Sequence, residues 1–269
     1  MQTFNEKIKN ICISKNNYLC IGLDVDNKKL KNQSIAYMRD YILDIIDATI
    51  DLCPIYKINF AFFERLGSKG FEIIEKISLH IDDKAIKIAD AKRGDIGNSS
   101  KYNSEAILDN LNYDAITVSP YMGEDSIKPF TLNKDKGVFI LCLTSNQGSQ
   151  DFQYNIHENI ELYKHVAKFA IKLNSNNNIG LVVGATQSDK MKELKKITLN
   201  LPWLMPGVGF QGGNLKESIE IGLKNNSTPI INVSRGVLMY KNGKIKDIRE
   251  SAMNYTKEIR KYLWIQKKF

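Results

Sequence analysis

The stretch Ala85–Gly97, AIKIADAKRGDIG, begins as an apolar β-run, ends on Asp90 and Lys92, and enters a glycine-bearing turn before a helical stretch. Alternation along a strand sends residues two apart to the same side, so Asp90 and Lys92 can project together, with Asp95 following in the turn. An apolar strand with a polar end that leads into a helix is one βα unit, and the pattern repeats on both sides of it. Upstream runs are Leu19–Asp24 (LCIGLD) and Ile55–Phe60 (IYKINF). Downstream runs are Ala115–Ser119, Val138–Thr144, Ile179–Gly184, Trp203–Val208 and Ile230–Ser234. The intervening segments carry helical spacing: Met38, Ile42, Ile45, Ile46, Thr49 and Leu52 form one stripe, and Ala106, Ile107, Leu111 and Leu215, Ile219, Gly222, Leu223 form others. Eight strand–helix alternations predict an α/β chain, a (β/α)8 TIM barrel. A doubly wound sheet shares the alternation, and counting does not separate the two. No linker, repeat or compositional break divides residues 1–269, and the run NSNNN at 174–178 fits one αβ loop. The chain therefore reads as a single barrel domain with its site at the C-terminal strand ends.

Composition agrees with a globular enzyme-sized chain: 269 residues, 43% hydrophobic, 25% charged and 9% aromatic. Lys+Arg 38 against Asp+Glu 30 leaves a net charge of +8, which suits an anionic ligand without pointing to nucleic acid. No apolar run approaches the roughly 20 residues of a membrane span, and MQTFNEKIKN does not read as a signal peptide. Cys12, Cys20, Cys53 and Cys142 lie far apart without a C-x-x-C, so they read as reduced thiols of a cytoplasmic protein. His80, His157 and His165 fall outside strand ends, which argues against a metal triad or a Ser–His–Asp site. The tail Lys257–Phe269 is basic, with Ile259, Leu263 and Trp264 at helical spacing. A docked final helix is preferred there over a membrane or nucleic-acid contact.

Polar groups follow the apolar runs in nearly every unit: Asp24, Lys57 with Asn59, Asp90 with Lys92, Ser119, Ser145 with Asn146, Thr186, Gln211 and Arg235. In a barrel these positions carry the chemistry. Asp90, Lys92 and Asp95 read either as a solvated ion-pair loop or as an acid–lysine array that keeps Lys92 charged. Imine chemistry needs a depressed lysine pKa, and the two aspartates oppose that. Pro206–Gly213 (PGVGFQGG) and Ser234-Arg235-Gly236 come after the seventh and eighth strands, the usual phosphate-binding place of barrels. Gly207, Gly209 and Gly212 also match G-x-G-x-x-G, with Arg235 where an NADP site could want it. Only one strand follows, too little for a dinucleotide-binding half, so phosphate is the preferred reading.

Together LCIGLD, KINFAFFERLG, DAKRGDIGNSS, TVSPYMGEDS, TSNQGSQDF, PGVGFQGG and SRG resemble the orotidine 5′-phosphate decarboxylase family, in its longer subfamily with the DAKRGDIG motif, over about residues 19 to 236. The resemblance implies a cofactor-free, metal-free homodimeric barrel that converts orotidine 5′-monophosphate to UMP and CO2, the last step of UMP biosynthesis. Lys57, Asp90, Lys92 and Asp95 then match the catalytic tetrad, with Asp95 and Ser99 contributed across the dimer interface. Asp24 matches the ribose-binding aspartate, Ser145 the serine at the pyrimidine, Gln211 the bridge between base and phosphate, and Arg235 the phosphate arginine. Asn59, Ser99 and Ser234 complete the expected substrate-binding set. Ser99 replaces the usual threonine and keeps its hydroxyl, while Val25 and Ile58 stand where proline is frequent.

Two other readings are distinguishable from it. A metal-dependent sugar-phosphate decarboxylase of the same superfamily shares D-x-K-x-x-D but needs a further acidic ligand, where the second strand offers Lys57 and Asn59. A non-enzymatic phosphate- or RNA-binding barrel would want a basic stripe with interleaved aromatics, which this sequence does not show.

Overall fold

The computed structural model describes residues 2–209 and 212–266. Eight parallel strands close into one barrel: β1 Leu19–Gly22, β2 Ile55–Asn59, β3 Ile86–Arg93, β4 Ala115–Val118, β5 Gly137–Leu143, β6 Ile179–Val183, β7 Trp203–Pro206 and β8 Pro229–Val233. Closure runs through β1 and β8, with Leu19 paired to Ile231, Cys20 to Asn232 and Ile21 to Val233. This is the TIM barrel expected from the alternation, and each strand begins within one residue of its predicted start. The strands are buried from both sides, which is why they read as β-branched apolar runs rather than strict alternation. Four free cysteines are all buried within this packing.

The helix Phe4–Ser14 lies across the N-terminal ends of the strands. Thr3 and Glu6 start it with a reciprocal capping box. Phe4 packs edge-on against Phe139 at 5.9 Å. Gly137 is required beneath it, since a Cβ there would lie 2.2 Å from the Phe4 ring. This end is thereby stoppered, and the opposite, C-terminal end of the strands stays open for ligands.

The expected helix Ile35–Thr49 buries Met38, Ile42, Ile45, Ile46 and Thr49, the stripe read from spacing. The tail continues as the helix Ile245–Gln266, with Ile259 and Leu263 buried, so it is a docked helix as its spacing required. Arg249 ties this helix to the turn after Thr49, donating to both oxygens of Asp51 at 2.8 and 2.9 Å. Residues 267–269 of the tail lie outside the described residues. Among the described residues no helix is long and apolar enough to cross a membrane.

Candidate active site

Strand β3 extends to Arg93, three residues past the predicted end, and its extra length is irregular. Ala89 pairs with Ile116 and Arg93 with Val118, so β3 takes four steps where β4 takes two. Such a bulge bends the strand and re-aims its side chains. Lys92 within it has φ +47°, a left-handed value that costs a β-carbon residue energy and is held only by its surroundings. The bulge turns the Asp90-Ala-Lys92 segment into the barrel mouth.

There the charged groups form a chain. Asp90 Oδ2 accepts from Lys57 Nζ at 2.8 Å, and Asp90 Oδ1 accepts from Lys92 Nζ at 2.5 Å. Lys57 Nζ also lies 3.6 Å from Asp24 Oδ1. Burial alone would raise the Asp90 carboxyl, but the Lys57 and Lys92 charges outweigh it and hold the group at about 2. Burial likewise pulls against the charge on Lys57, and Asp24 and Asp90 reverse it, keeping this ammonium above the ordinary lysine range. Lys92, half-exposed, points its charge into the open space.

The mouth is a cavity of about 1130 Å³. Asp24, Lys57, Asn59, Asp90, Lys92, Ser145, Ser234 and Arg235 all line it, as expected from their strand-end positions. Two polar atoms on its wall, Asp24 Oδ1 and Ser234 Oγ, are buried without a hydrogen-bond partner. Because an unmet buried acceptor or hydroxyl is costly, such atoms suit a ligand rich in hydroxyls.

Asp95 and Ser99 do not line this cavity. Asp95 Oδ1 accepts from the neighbouring Ile96 N–H at 2.8 Å, and Ser99 is exposed on the helix Gly97–Ser104. Ile96 and Tyr102, at the start of that helix and on it, and Tyr121 and Met122 after β4, are exposed apolar side chains. Gln211 lies outside the described residues.

The glycine loop differs from its sequence reading in one respect. Gly209 N–H donates to Gly213 O, Gly212 N–H to Gly209 O and Gly213 N–H to Gly207 O. These donors serve the turn itself, which the positive φ of Gly207, Gly209 and Gly212 allows. The helix begins only at Leu215, with Asn214 capping it. The Gly209, Gly212 and Gly213 N–H groups are thus engaged within the turn, while Arg235 lines the cavity.

Four side chains outside the sequence-derived set shape the site. Thr117 Oγ1 donates to Asp90 Oδ1 at 3.1 Å and accepts from Lys92 N–H at 2.9 Å. Gln153 holds the segment before Ser145, accepting from Thr144 N–H at 2.9 Å and donating to Thr144 Oγ1 at 2.7 Å. Tyr41 closes the side wall by donating to Gly243 O at 2.5 Å. The Tyr255 hydroxyl lies against both Gly209 and Gly236, at 2.7 and 2.6 Å from where their β-carbons would stand. The period-two placement of Thr117 in AITVS was a signal for the first; Gln153 acts over nine residues within one loop, and the two tyrosines act across longer separations that no local pattern marks.

The family model described as orotidine 5′-phosphate decarboxylase / HUMPS family matches residues 17–246. An orotidine 5′-phosphate decarboxylase of Dehalococcoides mccartyi is 48% identical over 245 residues, covering 89% of this chain and 90% of its own length. One from Parabacteroides distasonis is 40% identical, covering 93% and 92%. Among solved structures, the OMP decarboxylase of Leishmania donovani superposes with a TM-score of 0.87 at 34% identity, covering 97% of this chain and 98% of its own.

Proposed function

The chain belongs to the orotidine 5′-phosphate decarboxylase / HUMPS family, and we propose that its strand-end cavity decarboxylates orotidine 5′-monophosphate to UMP with Lys92 as proton donor. The activity, orotidine 5′-phosphate decarboxylation in pyrimidine biosynthesis, is the one that the family match and the named relatives support. The observation that carries the residue-level reading is the Lys57–Asp90–Lys92 chain, one carboxylate bridging two ammonium groups at 2.8 and 2.5 Å inside the cavity.

The chemistry asks for this arrangement. When the bond from C6 to the carboxylate breaks, CO2 leaves and the electron pair stays in a localised sp² orbital at C6. The Lys92 ammonium stabilises that charge and then transfers a proton to C6. A unit charge pair at 4 Å is worth about 4 kcal/mol at an effective dielectric of 20, close to a thousandfold in rate. Asp90 fixes Lys92, and its own negative charge faces the substrate carboxylate. With two ammonium groups already upon it, stabilisation of the carbanion outweighs repulsion of the substrate as the source of rate. Asp24 and Ser234, with their unmet oxygens, suit the ribose hydroxyls. Ser145 and Asn59 face the base, and Arg235, joined by Gln211, takes the phosphate, whose remote binding energy supports the reacting end.

Asp95 and Ser99 act in the site of a second copy on this reading. Their absence from this chain's own cavity and the exposed Ile96, Tyr102, Tyr121 and Met122 beside them support it. A metal-dependent sugar-phosphate decarboxylase is less favoured because Asp90 already carries two ammonium groups, which would repel a dication beside it.

The test is the ultraviolet change when the purified protein meets orotidine 5′-monophosphate in the presence of EDTA. Loss of the orotate chromophore with UMP as product is expected. Lys92→Ala should lower kcat at least about a thousandfold, on the charge-pair estimate above, while UMP still binds. Near-normal turnover in that variant removes Lys92 from its role. For the shared site, mixing Lys92→Ala and Asp95→Ala chains should restore one intact site per heterodimer, and no recovery counts against it.

A further inference from the structure

We infer that Thr117 is a positioning residue of this site, whose hydroxyl holds the Asp90 carboxylate and the strained Lys92 backbone in the arrangement that presents the Lys92 ammonium to the reacting carbon. The inference rests on the proposed proton-donor role of Lys92 and adds a residue that the motifs do not mark.

Thr117 stands between Ile116 and Val118, the two β4 residues whose β3 partners, Ala89 and Arg93, are four positions apart. It therefore faces the bulge, where the β3 backbone has left the regular ladder. Its hydroxyl takes over the missing pairing there, accepting the Lys92 N–H at 2.9 Å. Since a hydroxyl has one proton, that acceptance leaves the O–H to point elsewhere, and it points to Asp90 Oδ1 at 3.1 Å. One side chain, 1% exposed, thus touches both partners of the Asp90–Lys92 pair.

Two consequences follow from this geometry. Asp90 Oδ1 is shared between Lys92 and Thr117 while Oδ2 serves Lys57, so the carboxylate cannot rotate without losing a donor. Lys92 keeps its φ of +47° through a bond at its own N–H, and this backbone angle decides where its long side chain starts. Networks of this kind act as a unit, because each bond polarises and orients the next. With its proton given to Asp90 and its oxygen accepting from Lys92, the hydroxyl is committed to the charged pair, so its removal should affect the reacting step far more than binding.

The experiment compares Thr117→Val, which keeps the shape, Thr117→Ala, which adds no new contact, and Thr117→Ser, which keeps the hydroxyl. For the first two, kcat should fall about 10- to 100-fold, the range for a lost hydrogen bond to a charged group. KM for orotidine 5′-monophosphate and the Kd of UMP should stay within about threefold, and the serine variant should recover kcat to within about threefold of the parent, well short of a lost charged hydrogen bond. An active parent with undiminished kcat in both Thr117→Val and Thr117→Ala overturns the inference. Equal losses in all three variants, or losses that track a falling Tm, also overturn it by making the role structural. Should the parent itself show no turnover, the decarboxylase reading fails instead, and near-normal turnover of Lys92→Ala removes the proton-donor role; those two controls tell either failure apart from that of Thr117.

Discussion

Three lysines among the described residues are almost fully buried, Lys57, Lys87 and Lys195, and the first and last of them behave in opposite ways. Lys57, 4% exposed, sits at the open end of the barrel between Asp24 and Asp90. Lys195, 2% exposed, lies on the helix Ser188–Thr198 with its Nζ 4.6 Å from the Trp203 ring centre and no hydrogen-bond partner. Burial penalises the ammonium in both. At Lys57 two carboxylates overcome the penalty and the charge is secured. At Lys195 no carboxylate or hydrogen bond offsets it, and burial pulls the amine down to about 7. A cation over an indole face recovers only about 1–2 kcal/mol, less than a desolvated ammonium requires. Burial by itself therefore says little about a lysine's charge; the partners do. The barrel keeps compensated charge where a ligand meets it and carries an uncompensated amine on its flank.

The comparison can be broken at its stronger member first. Lys57→Met leaves Asp24 without its cation and Asp90 with only Lys92, and it is expected to cost about 3 kcal/mol in a denaturant titration. Turnover should fall by at least about a thousandfold, on the same charge-pair scale, because Asp90 would then swing toward Lys92 alone. Unchanged stability would mean that Asp24 and Asp90 do not need this ammonium. Lys195→Met should move the other way and stabilise by about 2 kcal/mol near neutral pH, since an apolar side chain of similar shape replaces an unpaired amine. A lower Tm in that variant would show a partner for Lys195 that the geometry does not contain.

Alkaline titration sharpens the contrast with a smaller signal. Between pH 7 and the ordinary lysine value of 10.5, the unfolded chain binds a proton at Lys195 that the folded chain has released, so stability should rise with pH. The slope is at most about 1.4 kcal/mol per pH unit. Lys57 is protonated in both states over that window and contributes no slope; its stabilisation is lost as pH rises from 10.5 through its raised value. The difference in Tm against pH between the parent and Lys195→Met isolates the effect, and parallel curves would refute it. On the acid side, the stability from ionised Asp90 is present above 3.8 and lost as pH falls toward about 2.

Much of this was legible along the chain. Strand starts, the helix stripe at Met38–Thr49, the docked tail and the strand-end polar residues all follow from local spacing, because a barrel repeats one βα unit and each unit signals itself. Asp24, Lys57, Asn59, Asp90, Lys92, Ser145, Ser234 and Arg235 meet in one cavity for the same reason. The glycine loop was harder to read. Its residues announce positive φ, but whether the N–H groups face a ligand or the turn's own carbonyls depends on how the turn closes.

By itself, then, the sequence determined the number and order of the βα units and which residue types stand at the strand ends, since both are set by periodicity over a few neighbouring residues. Tertiary structure decided the charges and the fine aim. Lys57 and Lys195 are chemically alike in the sequence, and only folding placed carboxylates beside one and an indole beside the other. It likewise decided that β3 would bulge opposite Thr117, joining residues 25 positions apart in one hydrogen-bonded unit. Charge and hydrogen-bond partners depend on distances across the barrel, which local propensity does not encode.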